Sequence, residues 1–117
     1  MNKGSYYKLK TKKWFEEKGY ETEIVEKLQR IWTPKGVFFK KQDVFGADGI
    51  SMNEQEIIFW NSKFGKSNIA EGLKEFAKYP FPNFVKRWLV VWEARVREPE
   101  IVEFIEIENP ELLEEAK

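Results

Sequence analysis

Near the middle of the chain, Ile57-Ile58-Phe59-Trp60 forms a nearly uninterrupted apolar run, followed at once by Asn61-Ser62-Lys63. A run this short and this apolar reads as a strand buried on both faces. Such a strand must be covered on each side, which constrains the chain to a layered α/β arrangement with helices packed on a sheet.

The flanking sequence supplies those layers. Lys3 to Lys18 predicts a helix, with Tyr7, Thr11, Trp14 and Phe15 on one side and Gly19 as its stop. Thr22 to Trp32 alternates imperfectly between apolar and charged residues and predicts one twisted or bulged strand. Thr33-Pro34-Lys35-Gly36 is a turn signal, and Val37-Phe38-Phe39 begins the return. Asp43–Ile50 and Glu56–Lys63 predict a strand pair around a polar turn, Ser51 to Gln55. Ser67 is placed to cap a helix running to Lys78, in which Ile69, Leu73 and Phe76 share a face and which Pro80 and Pro82 terminate. Trp88–Trp92 predicts another buried strand, Ile101–Ile107 a final one, and Pro110–Lys117 a short acidic helix or frayed tail. The expected order is α-β-β-β-β-α-β-β. The expected fold class is α/β, a central mixed β-sheet flanked by helices, in a single domain over residues 1–117 with 98–117 as an acidic strand and tail.

Composition narrows the chemistry. The 117 residues include no cysteine and no histidine. That excludes disulfides, zinc-thiolate sites, cysteine nucleophiles and histidine-based triads or ligands. No apolar leader or membrane-length segment is present, so a cytoplasmic protein without membrane contact is expected. The net charge is zero, but eight glutamates and one lysine lie from Glu98 onward, and residues 1–97 hold 19 basic against 12 acidic residues. A basic body with an acidic end fits either a polyanion-binding protein or a Lys/Glu-rich surface without a partner.

The chemistry-bearing residues gather at the ends of two adjacent strands. One contains Gly46-Ala47-Asp48-Gly49-Ile50; the other ends Trp60-Asn61-Ser62-Lys63. Asp48 and Asn61 are 13 residues apart, enough for a hairpin, and strand period places Asn61 and Lys63 on one face with Ser62 on the other. An aspartate, an amide and a lysine are thereby expected to converge, and oxygens there would suit Mg²⁺ (or Mn²⁺).

An aspartate, about a dozen residues, and then an acid-x-lysine element resembles the PD-(D/E)XK nucleases. Lys3-Gly4, the stretch Lys41-Gln42-Asp43-Val44-Phe45-Gly46-Ala47-Asp48 and the helix after Lys63 are similar to the small Holliday junction resolvase-like branch. The resemblance spans roughly Lys3 to Trp92. It implies a restriction-endonuclease-like core and metal-dependent hydrolysis of DNA, with branched DNA as a candidate substrate and a homodimer as the expected assembly. It makes Asp48 a metal-binding and catalytic residue, Asn61 the second acid's replacement, Ser62 a main-chain metal ligand and Lys63 the catalytic lysine. Asp43 is expected to be structural. Lys8, Lys12, Lys40, Lys41 and Lys66 are expected to contact DNA phosphates. Two positions depart from the pattern. Asn61 carries no charge, and Lys8 stands where that branch tends to carry a glutamate. A DNA-binding or assembly module with a decayed site is therefore a second expectation.

Other readings stay open beside these. Asp48 beside Gly49 also suits a turn, and Lys63 an ordinary strand end. Trp60, Trp88 and Trp92 read as core, whereas Trp32, next to the turn, reads as exposed.

Overall fold

The computed structural model describes residues 3–25, 27–42 and 44–105. Helix α1 (Lys3–Glu17) begins at the Lys3-Gly4 pair and directs Tyr7, Thr11, Trp14 and Phe15 inward. It ends where Gly19 takes φ +92°, a left-handed conformation that costs glycine little. The strands follow as β1 (Glu21–Ile24), β2 (Lys27–Thr33), β3 (Gly36–Gln42), β4 (Gly49–Met52) and β5 (Ile57–Phe64). A 3₁₀ turn (Lys66–Asn68) leads into helix α2 (Ile69–Ala77), and β6 (Val85–Trp92) and β7 (Glu100–Glu103) complete the described fold. Among the described residues, no helix is long and apolar enough to cross a membrane.

Five strands form a mixed sheet in the order β1-β4-β5-β6-β7, and β2 pairs only with β3 in a separate two-stranded ribbon. Within the large sheet β5 and β6 are parallel, joined by a crossover containing α2, and the other pairs are antiparallel. The doubly buried strand expected from Ile57-Ile58-Phe59-Trp60 is β5, an interior strand. Ile58 and Trp60 join Phe15, Val90 and Trp92 in the layer beneath α1. Phe59 faces the opposite layer, with Phe76, Leu89 and Val91 beneath α2. Two buried indoles are anchored by hydroxyls. Trp92 Nε1 donates to Thr11 Oγ1 at 2.8 Å, and Trp60 Nε1 donates to Ser51 Oγ at 2.9 Å.

Several sequence expectations need correction. Thr22–Trp32 is two strands, because β1 pairs with β4 whereas β2 turns away to pair with β3. This adds one strand to the expected order. β4 starts only at Gly49. Val44–Ala47 is a tight turn held by Val44 N→Ala47 O (3.1 Å) and Ala47 N→Val44 O (2.9 Å), with Phe45 at φ +52° and Gly46 at φ +77°. The polar turn is correspondingly shorter, since Ser51 and Met52 still pair with Ile58 and Ile57. Ser67 does not cap α2. It lies inside the 3₁₀ turn, and Asn68 is the cap residue. β7 spans Glu100–Glu103; Asp43, Ile107 and the tail 110–117 lie outside the described residues.

A polar bridge ties three elements together at the other end of the β4–β5 hairpin. Tyr20 OH donates to Glu56 Oε1, and Lys86 Nζ donates to Glu56 Oε2 at 2.7 Å. The hydrogen bond to Glu56 pushes the Tyr20 phenol up to about 12, and Lys86 and Tyr20 together hold the Glu56 carboxyl below its ordinary value. The signs give two windows. A raised phenol contributes stability that is complete below its ordinary value of 10.0 and is lost as pH climbs toward about 12. A depressed carboxyl contributes stability above its ordinary value of 4.5 that is lost as pH falls further. Tyr20→Phe is therefore expected to flatten the decline in thermal stability between pH 10 and 12, read by melting curves across pH; an unchanged alkaline slope would refute it.

Candidate functional site

The turn at Val44–Ala47 delivers Asp48 to the point where β4 and β5 begin to pair. Its main chain is fixed on two sides, by Asp48 N→Trp60 O at 2.9 Å and Val25 N→Asp48 O at 2.9 Å. The residue is only 4% exposed. Its carboxylate lies against β5. Oδ2 accepts from Ser62 N at 3.0 Å and from Ser62 Oγ at 3.2 Å. Lys8 reaches across from α1, and its Nζ lies 3.8 Å from Oδ1 with only 17% of the side chain exposed. A helix residue and a strand-end residue 40 positions apart thus form a largely dehydrated ion pair, which interacts more strongly than the same pair in water.

Asn61 is buried on the opposite face of β5 from Ser62, on the α2 side, and is turned to a structural task. Its Nδ2 donates to Gly46 O at 2.8 Å and locks the turn that presents Asp48. A Cβ on Gly46 would lie 3.2 Å from the Glu75 backbone, so this turn is also pressed against α2. Lys63 shares Asn61's side of β5, as strand alternation requires. Its stem runs over α2, where a Cβ on Gly72 would come within 3.3 Å of Lys63 Cε. Lys63 makes no ion pair among the described residues. The structure therefore brings Lys8, Asp48 and Ser62 together on the α1 side of β5 and lays Asn61 and Lys63 along the α2 side, so the expected convergence of Asp48, Asn61 and Lys63 does not occur.

Among the described residues, the donor set does not fit a divalent cation. Mg²⁺ and Mn²⁺ want several hard oxygens, usually including more than one carboxylate. Here Asp48 gives one oxygen to two Ser62 donors and faces an ammonium with the other. Among the described residues no three of His, Cys, Asp and Glu gather as a ligand group.

Of the remaining lysines, Lys12 is half-buried on α1 and Lys40 and Lys41 stand on β3. Lys66 is exposed in the 3₁₀ turn, 3.8 Å from Glu100 Oε2. Sequence reasoning missed two things. The Ser62 hydroxyl holds Asp48, and nothing in a single serine signals that. A groove of about 510 Å³ also runs beside α1, where Lys10, Lys13 and Arg97 line aromatic walls made by Tyr6, Trp14 and Trp92. Lys10 Nζ lies 4.5 Å from the centre of the Trp92 ring. The lysines were visible as a basic helix face; the aromatic walls were not.

No family model matches the chain, and no curated protein matches it in sequence. Solved structures do match. Hjc, a Holliday junction resolvase from Archaeoglobus fulgidus, aligns with a TM-score of 0.55 at 13% identity, over 92% of this chain and 80% of that one. The protein SSO0001 aligns with a TM-score of 0.53 at 19% identity, over 94% of this chain and 54% of that one, so this chain spans about half its length. At such identities the likeness is one of fold: the chain is a mixed α/β protein with a five-stranded central sheet and two helices, similar to the Hjc resolvase fold.

Proposed function

We propose that this chain is a DNA-binding protein on a resolvase-like fold, in which the Lys8–Asp48 ion pair has taken the place of a catalytic metal. The observation that carries this is the Lys8 ammonium, 3.8 Å from the buried Asp48 carboxylate. A cation supplied by the chain neutralises Asp48 without bringing the open coordination positions that phosphodiester hydrolysis draws on. The DNA assignment is supported by the likeness to a Holliday junction resolvase and by the excess of basic residues before Glu98. Phosphate contacts by the α1 and β3 lysines would dominate affinity and make it fall steeply with salt.

A second reading is favoured by the grip of Ser62 on Asp48, which holds the carboxylate beside the strand carrying Asn61 and Lys63. In it the chain is a Mg²⁺- or Mn²⁺-dependent endonuclease of the PD-(D/E)XK type. Asp48, Asn61 and a main-chain oxygen of Ser62 would hold the metal, Lys63 would orient water, and a homodimer would place two sites on a branched substrate. It requires Lys8 to leave Asp48 and Asn61 to release Gly46 and reach the other face of β5.

Incubation with a four-way junction and with linear duplex, in Mg²⁺ and in Mn²⁺, separates the two. The expected result is a retarded junction complex, at least tenfold weaker at 200 mM than at 50 mM salt, with no strand cleavage. The variant Lys8→Glu/Ser62→Glu, which places two carboxylates beside Asp48, is expected to gain Mn²⁺ binding by calorimetry. Cleavage by the native chain that vanishes in Lys63→Ala would replace the first reading with the second. Failure to retard any DNA would overturn both.

A further inference from the structure

The β2–β3 ribbon takes no part in the site described above, yet it carries a cluster of exposed aromatic side chains. Trp32 is 73% and Phe39 64% exposed, and Phe38 and Val37 beside them are also open. An isolated two-stranded ribbon is marginal in water, and exposed indole and phenyl rings add to its cost. The register explains how the rings are arranged. Arg30 pairs with Phe39 and Trp32 with Val37, so these four side chains share one face. The Arg30 guanidinium lies 5.8 Å from the Trp32 ring centre and 5.9 Å from that of Phe39. One cation is thus flanked by two solvent-facing aromatic plates.

Charge identifies what such a face takes. Lys27–Gln42 contains five basic residues, Lys27, Arg30, Lys35, Lys40 and Lys41, and no acidic one. A docking site for another protein's apolar surface has no need of that excess; a nucleic-acid strand requires it. Planar rings stack on any base, and the interleaved cations meet its phosphates. Stacking needs bases out of the duplex, which favours a single strand over paired DNA. The ribbon pairs with no strand of the main sheet, and the fold is elongated. The fold has a radius of gyration of 16.1 Å and a long axis of 55 Å, against a radius of about 13 Å for a compact chain of this size.

We propose that the β2–β3 ribbon is a binding arm for unpaired DNA, with Trp32 and Phe39 stacking on splayed bases and Arg30 between them contacting the backbone. The arm rests on the reading of the previous subsection only for the choice of DNA; it does not depend on whether the Asp48 corner reacts.

The test uses fluorescence anisotropy with the full chain and three labelled probes: a 20-nucleotide oligothymidylate, a duplex of the same length, and a four-way junction. Trp32→Ala/Phe39→Ala is expected to weaken oligothymidylate binding by roughly tenfold or more, and duplex binding by less than about twofold. Trp32→Phe, which keeps a ring, is expected to restore most of the loss seen in Trp32→Ala. Both side chains are solvent-facing, so folding should survive, and circular dichroism checks it. Oligothymidylate binding unchanged in the double variant, or lost equally on all three probes, would overturn the arm while leaving DNA binding intact. Native protein that binds none of the probes would overturn the arm and the reading above together. If the native chain self-associates in sedimentation and the double variant does not, the ribbon is a contact between copies, and the proposal fails.

Discussion

Phe15→Ala is expected to remove a large share of the folding stability of the chain. Phe15 has no exposed surface. Its ring stacks near Trp60 (5.9 Å between centres) and Trp88 (6.0 Å), and meets Trp14 (4.9 Å) and Tyr20 (5.4 Å) edge-on. Removing it withdraws a ring that joins α1 to two interior strands at once. Buried Phe→Ala changes cost about 3–5 kcal/mol, against a total stability of about 5–15 kcal/mol for a domain. The upper end of that range applies, because four large rings cannot collapse into the space without breaking their mutual packing. Urea titration followed by far-ultraviolet circular dichroism reads the effect directly. Phe45→Ala, which removes an equally large but exposed ring, is the control and is expected to change stability little. A Phe15→Ala midpoint within error of the native one would mean that α1 is not seated as described.

The second large effect is expected at Gly49. It is buried at the start of β4 opposite Trp60, and any Cβ placed on it would overlap the indole ring. Trp60 cannot retreat, since its Nε1 is tied to Ser51 Oγ, which is also hydrogen-bonded to Thr22 Oγ1 at 2.9 Å. Gly49→Val therefore forces overpacking, at a cost of about 1–3 kcal/mol or more. It also pushes on the residue next to Asp48. The melting temperature is expected to fall in this variant, whereas Gly19→Ala, with nothing within 4 Å of the new carbon, is expected to lose only what its positive φ costs. A Gly49→Val protein that melts like the native one would refute the close packing.

Much of this architecture can be read from local pattern. The apolar run of β5, the helix stripe ending in Phe15, and the Thr33–Gly36 turn each carry their own signal, and Trp32 is exposed while Trp60 and Trp92 are buried, as their contexts indicate. What escaped sequence reasoning depends on partners far along the chain. Nothing around Val25 marks a break between β1 and β2, because the alternation continues and only the change of pairing partner divides them. The late start of β4 follows from Phe45 adopting a positive φ, which its side chain disfavours and its surroundings impose. At the site, the positions of Asp48 and Asn61 were legible as neighbours on a hairpin. Their roles were not, because the cation facing Asp48 comes from another element and the Asn61 amide is committed to a main-chain carbonyl.

The hydrogen bond from Trp92 Nε1 to Thr11 Oγ1 joins residues 81 positions apart in sequence. During synthesis the basic first helix leaves the ribosome long before the strand that will bury its apolar side exists. At about 5–20 residues per second, it waits on the order of 4–16 s with Phe15 and Trp14 uncovered. Over that interval the nascent chain presents a cationic, apolar-sided segment that β6 has yet to cover. Shortening that delay by slow-to-fast codon changes upstream of Trp92 would be expected to raise soluble yield without altering one residue of the protein.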